Sequence, residues 1–272
     1  MKFQYLIPYY NMSGEKFKTN GYYQTYLTLN NFMKKDNLID IDRTNITNTT
    51  IINKICPRRS LGCENLCFNI IRYNRKYINS KKTKFINNLT KEYLYNRTIF
   101  KNKLKKDLSE LIKHSNSKNI KPVVRLNNMS DILWENIFTD IFLDFKDIQF
   151  YDYTKHNIIK RIKTLRQKNI SNYHLVYSRT EKDSWKKISY LLNQNIDVAV
   201  VIDEELKQSL LDNITYNTYN VIDGDAYDNR ILDKLYKSKN HINKGILILL
   251  NAVYTNRRKD SPGFVIKDIN EL

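Results

Sequence analysis

The chain has 272 residues, of which 41% are hydrophobic, so it can bury a sizeable core and wholesale disorder is excluded. Its formal net charge of +18 indicates a polyanionic partner such as nucleic acid or a nucleotide, although the AT-rich coding that enriches Asn, Ile and Tyr also raises Lys. The sequence has no run of about 18 apolar residues and no signal-peptide pattern, so we expect no membrane span and a reduced, cytoplasmic location.

Three kinds of segment make up the first part of the chain. A strand is predicted at residues 22–30, within an Asn/Thr-rich region, and a cysteine loop follows at 56–67. Residues 69–116 are predicted to be helical, because apolar residues recur there every three or four positions. This stripe consists of Phe100, Leu104, Leu108 and Leu111.

From residue 120 onward, short apolar runs alternate with segments of helical pattern. The predicted strands are 122–127, 148–153, 173–178, 197–202, 219–223 and 245–251. The predicted helices are 132–142, 155–167, 181–194, 203–214 and 228–239. The strands recur about every 20–27 residues, the length of one strand plus one helix.

This alternation predicts an α/β fold with parallel strands, because parallel neighbours need crossover connections. Repeated β/α units of this number form a full or partial TIM-like barrel, and an open doubly wound sheet is the rival topology. No linker divides the chain. We therefore expect a single α/β domain over 1–272, with an N-terminal cysteine-loop region at about 20–70.

All three cysteines, Cys56, Cys63 and Cys67, lie within the twelve residues CPRRSLGCENLC, with the spacing C-x6-C-x3-C. Polar neighbours such as Arg58 and Glu64 argue against three buried thiols acting as small hydrophobes. A disulfide with one remaining thiol is the other alternative, but it does not suit a reducing compartment. The spacing therefore favours a metal-binding loop.

Three thiolates without a nearby histidine leave one coordination position open. Structural zinc usually takes four protein ligands, whereas a four-iron, four-sulfur cluster can leave one iron for a non-protein ligand. We expect an iron–sulfur cluster, with zinc as the alternative.

Polar residues follow the predicted strands, at the edge where parallel α/β sheets carry their functional groups. Helix capping accounts for one such residue per strand end, but it does not account for Arg125 inside the run VVRLN. DGDAYD at 223–228 is a weaker candidate for a Mg²⁺ or Ca²⁺ site. The candidate catalytic residues are Arg125, Asp152, Lys155, Arg179 and Asp225, and the candidate cofactor-binding residues are Asn127, Ser130 and Ser178.

The motifs of this chain resemble those of the phage gene product 88 family. The shared segments are CPRRSLGCENLC, VRLNNMSDILWE, FYDYTK, NYHLVYSRTE, DVAVVI, VIDGDAYDNRILD and DSPGFV. The resemblance spans roughly residues 20–267 and implies a phage or mobile-element protein, and hence a location in the host cytoplasm.

The cysteine loop and the β/α repeats are also similar to those of radical S-adenosylmethionine proteins. In that superfamily three cysteines hold a four-iron cluster, most often with the spacing C-x3-C-x2-C, which this loop does not have. A Gly-Gly-Glu-type strand is also absent from the sequence. The similarity implies S-adenosylmethionine as a cofactor.

Two functions follow from these patterns. One is a radical S-adenosylmethionine-like enzyme whose substrate is unidentified, with nucleic acid or a nucleotide as the class that the basic charge favours. The other is a non-catalytic, basic nucleic-acid-binding or assembly protein in which zinc or a cluster acts only as a structural staple. The sequence does not indicate an oligomeric state.

Overall fold

The computed structural model describes residues 3–8, 21–29, 55–67, 81–213, 215–252, 263–268 and 270. The described strands are β1 (Ile7–Pro8), β2 (Tyr22–Tyr26), β3 (Lys121–Arg125), β4 (Gln149–Thr154), β5 (Tyr173–Ser178), β6 (Val198–Ile202), β7 (Thr215–Tyr216), β8 (Tyr219–Asp223), β9 (Leu247–Asn251) and β10 (Val265–Ile266). The described helices are α1 (Leu61–Asn65), α2 (Lys81–Tyr95), α3 (Arg97–Ser117), α4 (Trp134–Ile137), α5 (Thr139–Asp144), α6 (Ile158–Gln167), α7 (Trp185–Asn193), α8 (Glu204–Asn213) and α9 (Ile231–Lys239).

The chain divides into two compact units. The first contains residues 1–58, 68–152 and 162–173, and the second contains residues 59–67, 153–161 and 174–272. The prediction of a single domain with a cysteine-loop region at about 20–70 stays a prediction, and residues 30–54 and 68–70 of that region lie outside the described residues.

The first unit contains a sheet with the order β1-β2-β3-β4, and the last two residues of β4 belong to the second unit. Strands β2, β3 and β4 run parallel, and β1 is antiparallel to β2. Its helices bury the predicted apolar stripe, since all four residues from Phe100 to Leu111 have no exposed surface. An aromatic cluster completes this core. It comprises Tyr5, Tyr93, Phe100, Trp134 and Phe138, whose ring centroids lie 5.1–6.2 Å apart in neighbouring pairs.

The second unit contains a sheet with the order β5-β6-β9-β8-β7, and β10 pairs with β6. Its strands are parallel except for β7, which forms a hairpin with β8. The core of this sheet is apolar. It includes Val176, Ala199, Ile222, Ile246 and Ile248.

The predicted α/β fold with mostly parallel strands is confirmed, and the barrel is not. A TIM barrel pairs each strand with the next one along the chain. Here β9 lies between β6 and β8, and the order of the described strands does not close on itself within either unit.

The predicted helices correspond to observed helices, with two differences. Residues 132–142 form two short helices, because Phe138 adopts a non-helical backbone conformation between them. Within the predicted helical segment 69–116, residues 69–80 lie outside the described residues. No helix in the described part of the chain is long and apolar enough to cross a membrane.

Candidate metal centre

Helix α1 carries Cys63 in its first turn. The Ser60 side chain caps this helix, since its Oγ accepts the backbone N–H of Cys63 at 3.3 Å. Glu181 provides a second cap, because its Oε1 accepts the N–H of Gly62 at 3.3 Å. Burial would raise the pKa of Glu181, but hydrogen bonds from Ser60 and from the backbone of α1 outweigh it and lower that pKa. Glu181 is therefore an ionised anchor that follows β5.

The other face of α1 is apolar and packs on the carboxyl end of the second sheet. Cys63 and Leu66 belong to a cluster completed by Val201, Ala252, Phe264 and Val265. Strand β10 holds Phe264 and Val265 in place because Val265 pairs with Val201 of β6. Cys63 thus lies on an apolar floor at the end of parallel strands. Cys67, two residues after α1, donates its backbone N–H to the Glu64 carbonyl at 3.4 Å.

Cys56 is fixed in the first unit, by the loop that follows β3. Its thiol donates to the Met129 carbonyl oxygen across 3.7 Å. The preceding residue, Ile55, is buried, and its carbonyl accepts the N–H of Asp131 at 2.8 Å. In each unit, therefore, a cysteine is held at the carboxyl ends of parallel strands.

All three cysteines are half-buried, and none of them forms a disulfide. Arg59 lies between them in sequence and pairs with Glu64 at 3.0 Å, so its charge is partly compensated within the loop. In the described ranges, no three His, Cys, Asp or Glu side chains are grouped so that they could hold a metal ion. The shared three-thiolate site therefore stays a prediction.

Three of the four candidate residues of the first unit form one buried hydrogen-bond network. The Asn127 side chain accepts from Ser130 Oγ at 2.7 Å and from Trp134 Nε1 at 2.9 Å. Asp152 has no exposed surface, and it accepts the N–H of Asn127 and the hydroxyl of Tyr173, both at 2.6 Å.

These bonds indicate that Asn127, Ser130 and Asp152 hold the loop after β3 in shape. Arg125 is the last residue of β3, where it lies beside Tyr151 of β4.

Three of the four candidate residues of the second unit lie at the ends of β4 and β5, and the fourth, Asp225, follows β8. Lys155 donates to Ser178 Oγ at 2.6 Å, and its Nζ lies 5.7 Å from the ring centroid of Phe264. Arg179 is buried and donates to the carbonyl oxygens of Gly263, at 2.7 Å, and Phe264, at 3.4 Å. Arg179 thus holds the segment against which Cys63 packs.

A family model described as "Gene product 88" matches residues 15–266 of this chain, a span that includes every candidate residue named above. The chain belongs to the gene product 88 family. Comparison with curated proteins and with solved structures returned no match.

In this gene product 88 protein, a lysine side chain compensates part of the negative charge of the acidic loop at 223–228. Lys207 of α8 is buried and donates to Asp223 Oδ1 at 2.5 Å and to Asp225 Oδ2 at 2.7 Å. Asp225 also accepts the N–H of Asn251 at 2.7 Å. The lysine therefore lies between these two carboxylates and compensates part of their negative charge.

Sequence reasoning missed a second buried charge cluster in the gene product 88 fold. Asp197 accepts the N–H of Ile246 at 3.0 Å and pairs with Lys237 at 2.9 Å and His174 at 3.2 Å. Burial would raise the pKa of Asp197, but the bonds and charges of His174 and Lys237 outweigh it and set that pKa at about 2. Burial lowers the pKa of His174 in spite of its contact with Asp197.

A neighbouring pair on α9 was also missed. Arg230 and Asp233 are both fully buried, with 3.5 Å between Nη1 and Oδ2. Burial raises the pKa of Asp233 to about 7, and the nearby Arg230 only partly opposes this. Neither cluster has a signal in the sequence beyond isolated charges inside apolar patterns.

Proposed function

We propose that this gene product 88 protein is a thiolate-ligated metalloprotein and that Cys56, Cys63 and Cys67 together hold one iron–sulfur cluster. One observation carries the proposal: every cysteine of the chain lies in one twelve-residue loop, is half-buried and is not in a disulfide. Structural buried cysteines do not usually concentrate in a polar loop of this kind.

The chemistry of the donor set fits the group. Thiolates are soft ligands that suit zinc and iron–sulfur centres. The loop supplies three of them and no histidine, which favours a four-iron cluster with one open iron over structural zinc with four protein ligands. The apolar floor beneath Cys63 would limit access of water on one side of the cluster.

A finer proposal is that the cluster binds S-adenosylmethionine and that the protein is a radical S-adenosylmethionine-like enzyme. When bound, such a cluster supplies one-electron chemistry, and the protein supplies binding and orientation. In this proposal, Lys155 and Ser178 would orient an anionic group of a ligand, since they lie together beside Phe264. Four other candidate residues would position the surrounding loops rather than contact the ligand, because their observed hydrogen bonds are to the protein itself. They are Asn127, Ser130, Asp152 and Arg179. Arg125 and Asp225 keep the catalytic role predicted for them.

A second candidate function is nucleic-acid binding in the host cytoplasm. In that case the metal bound by the cysteines would only stabilise the fold. The net charge of +18 favours it, because a protein of this charge attracts polyanions at low salt.

The experiment that tests the proposed function is anaerobic purification followed by iron and sulfide reconstitution, with chemical analysis for iron, sulfide and zinc. The proposal predicts a brown protein that contains iron and sulfide. A colourless protein that holds one zinc per chain, even after reconstitution, would contradict it. Formation of 5′-deoxyadenosine from S-adenosylmethionine under a strong reductant then tests the finer proposal, and a reconstituted protein that forms none would overturn only that.

A further inference from the structure

The second unit carries a surface cluster of aromatic rings that the metal centre does not use. Trp185 is the first residue of α7, and its ring lies 5.1 Å from the ring of Tyr216 and 5.9 Å from that of Tyr219, both at 72°. The two tyrosines face each other across the β7–β8 hairpin. The turn residues Asn217 and Thr218 have φ values of 47° and 71°, the left-handed conformation that tight hairpins use.

Part of this cluster is structural. Tyr219 is buried, and its hydroxyl donates to Asn193 Oδ1 at 3.0 Å and contacts the Ser189 carbonyl at 3.3 Å, which ties the hairpin to α7. Trp185 and Tyr216, however, are only partly buried. A large ring that stays partly accessible has some apolar surface left for a ligand.

Lysines lie near these rings, in space or in sequence. Lys244 lies 4.9 Å above the Tyr219 ring, and its Nζ is 3.2 Å from Thr218 Oγ1. Lys182 and Lys186, which precede and follow Trp185 closely in sequence, are exposed. Two nearby acids have partners: Asp183 binds Lys187 at 2.5 Å, and Asp212 of α8 accepts from Gln208 at 2.9 Å.

We propose that this face, defined by Trp185, Tyr216, Lys186 and Lys244, binds single-stranded nucleic acid. Bases stack on the accessible parts of the Trp185 and Tyr216 rings, and the lysines contact the phosphates; this pairing of aromatic and basic groups is typical of single-strand binding. The proposal rests on the nucleic-acid candidate above and is independent of the cysteine centre. It locates the nucleic-acid-binding site on this face and specifies a single-stranded ligand, since a base inside a duplex cannot stack on a side chain.

The test uses the full chain and a labelled single-stranded oligodeoxythymidine, with binding measured by fluorescence anisotropy. Trp185→Ala should weaken binding about 10-fold or more, because one stacked base is lost, whereas Trp185→Phe should retain most of it. Lys244→Gln should weaken binding less and should lower the salt dependence by about 0.7 of a log–log slope, the value for one phosphate contact on a single strand. Lys113→Gln is the matched control, because it removes one charge from an exposed side chain of α3 in the other unit.

Wild-type tryptophan emission supplies a measurement that needs no variant. The chain has two tryptophans, and Trp134 has no exposed surface, so oligonucleotide-dependent quenching reports on Trp185. Two results would show that nucleic acid binds elsewhere on the protein and would overturn the proposed binding face. One is tight binding of the oligonucleotide without quenching of the tryptophan emission. The other is a Trp185→Ala variant that binds no more weakly than Lys113→Gln. Failure of the wild type to bind at low salt would overturn both the binding face and nucleic-acid binding itself. Equal affinity for poly-glutamate, with the same dependence on Trp185, would show that the partner is an acidic peptide and would also overturn the proposal.

Discussion

Phe264 lies directly against Gly62, so that a Cβ atom on residue 62 would be 2.3 Å from the Cβ and Cγ atoms of Phe264. This contact joins the helix that carries Cys63 to the strand segment that Arg179 holds in place. The position of Cys63, one of the predicted metal ligands, therefore depends on two features. One is Phe264, about two hundred residues later in the chain, and the other is the absence of a side chain at residue 62.

Gly62→Ala should destabilise the protein by about 1–3 kcal/mol, because the added methyl group overpacks this contact. Chemical denaturation measures the change. The double variant with Phe264→Leu should recover part of the loss, and Leu61→Ala, at an exposed position on the same helix, should be nearly neutral. Equal stability of Gly62→Ala and the wild type would show that the two segments do not pack as described.

Asn127→Ala should cost about 2–4 kcal/mol of unfolding free energy, because it leaves several buried donors and acceptors without partners. Among them are the indole N–H of Trp134 and the carbonyl oxygen of Ile132. The neighbouring variant Asn128→Ala is the control, since that side chain donates to Thr28 Oγ1 at 2.9 Å and takes no part in the Asn127 network. A stable Asn127→Ala protein that has lost only ligand binding would favour the predicted cofactor role over the structural one.

Lys207→Met should destabilise the protein by about 1–2 kcal/mol, less than for a fully buried pair because Asp223 and Asp225 remain partly hydrated. It should also create a weak cation site, so that Ca²⁺ raises the melting temperature of the variant but not of the wild type. Lys113→Met, which disrupts an exposed pair with Glu110, controls for the loss of charge. Stabilisation of the wild type by Ca²⁺ to the same extent would contradict the neutralised acidic loop.

Asp197→Asn should destabilise the protein by about 3–5 kcal/mol at neutral pH, because it leaves the buried Lys237 without its counter-charge. The pKa of Asp197, about 2, lies below its unfolded value of 3.8, so its stabilising contribution is present above pH 4 and is lost as the pH falls towards 2. The lowered pKa of His174 acts in the same direction, since its contribution is present above the unfolded pKa of 6.5 and is lost at lower pH.

Measurement of unfolding free energy from pH 7 to pH 2 checks this. The difference between wild type and Asp197→Asn should shrink between pH 4 and pH 2, and Glu110→Gln, at an exposed surface pair, should show no such change. The opposite contribution of Asp233, whose raised pKa favours the folded state at low pH, cancels only in part in this difference, because the charge of Asp197 helps to raise that pKa. A difference that stays constant with pH would show that Asp197 is not held ionised by its neighbours.

The strands could be predicted from sequence because most of them are buried apolar runs of the length that parallel sheets use. Residues 173–178 and 219–223 are strands at the predicted positions. The order of the strands could not be predicted, because local pattern does not specify that β9 enters between β6 and β8. The two-residue strands β1, β7 and β10 are too short to have a periodic signal.

For the candidate site, too, the sequence predicts where residues lie along the strands but not which residues they bond to. Polar residues such as Asp152 and Ser178 were correctly expected at or near the carboxyl ends of strands. Their partners come from distant segments, as when Lys207 of α8 reaches the loop after β8. In the same way, Glu181 follows β5, but its carboxylate caps α1, more than a hundred residues away in sequence.

The measurement that tests the central claim most directly is the iron and sulfide content, after anaerobic reconstitution, of the wild type and of the single variants Cys56→Ser, Cys63→Ser and Cys67→Ser. We expect iron, sulfide and colour in the wild type and their loss in each variant, because a cluster held by three thiolates needs all three. Glu64→Gln, in the same loop, should retain them. Variants that keep the wild-type content when any one cysteine is removed would contradict a single cluster held jointly by Cys56, Cys63 and Cys67.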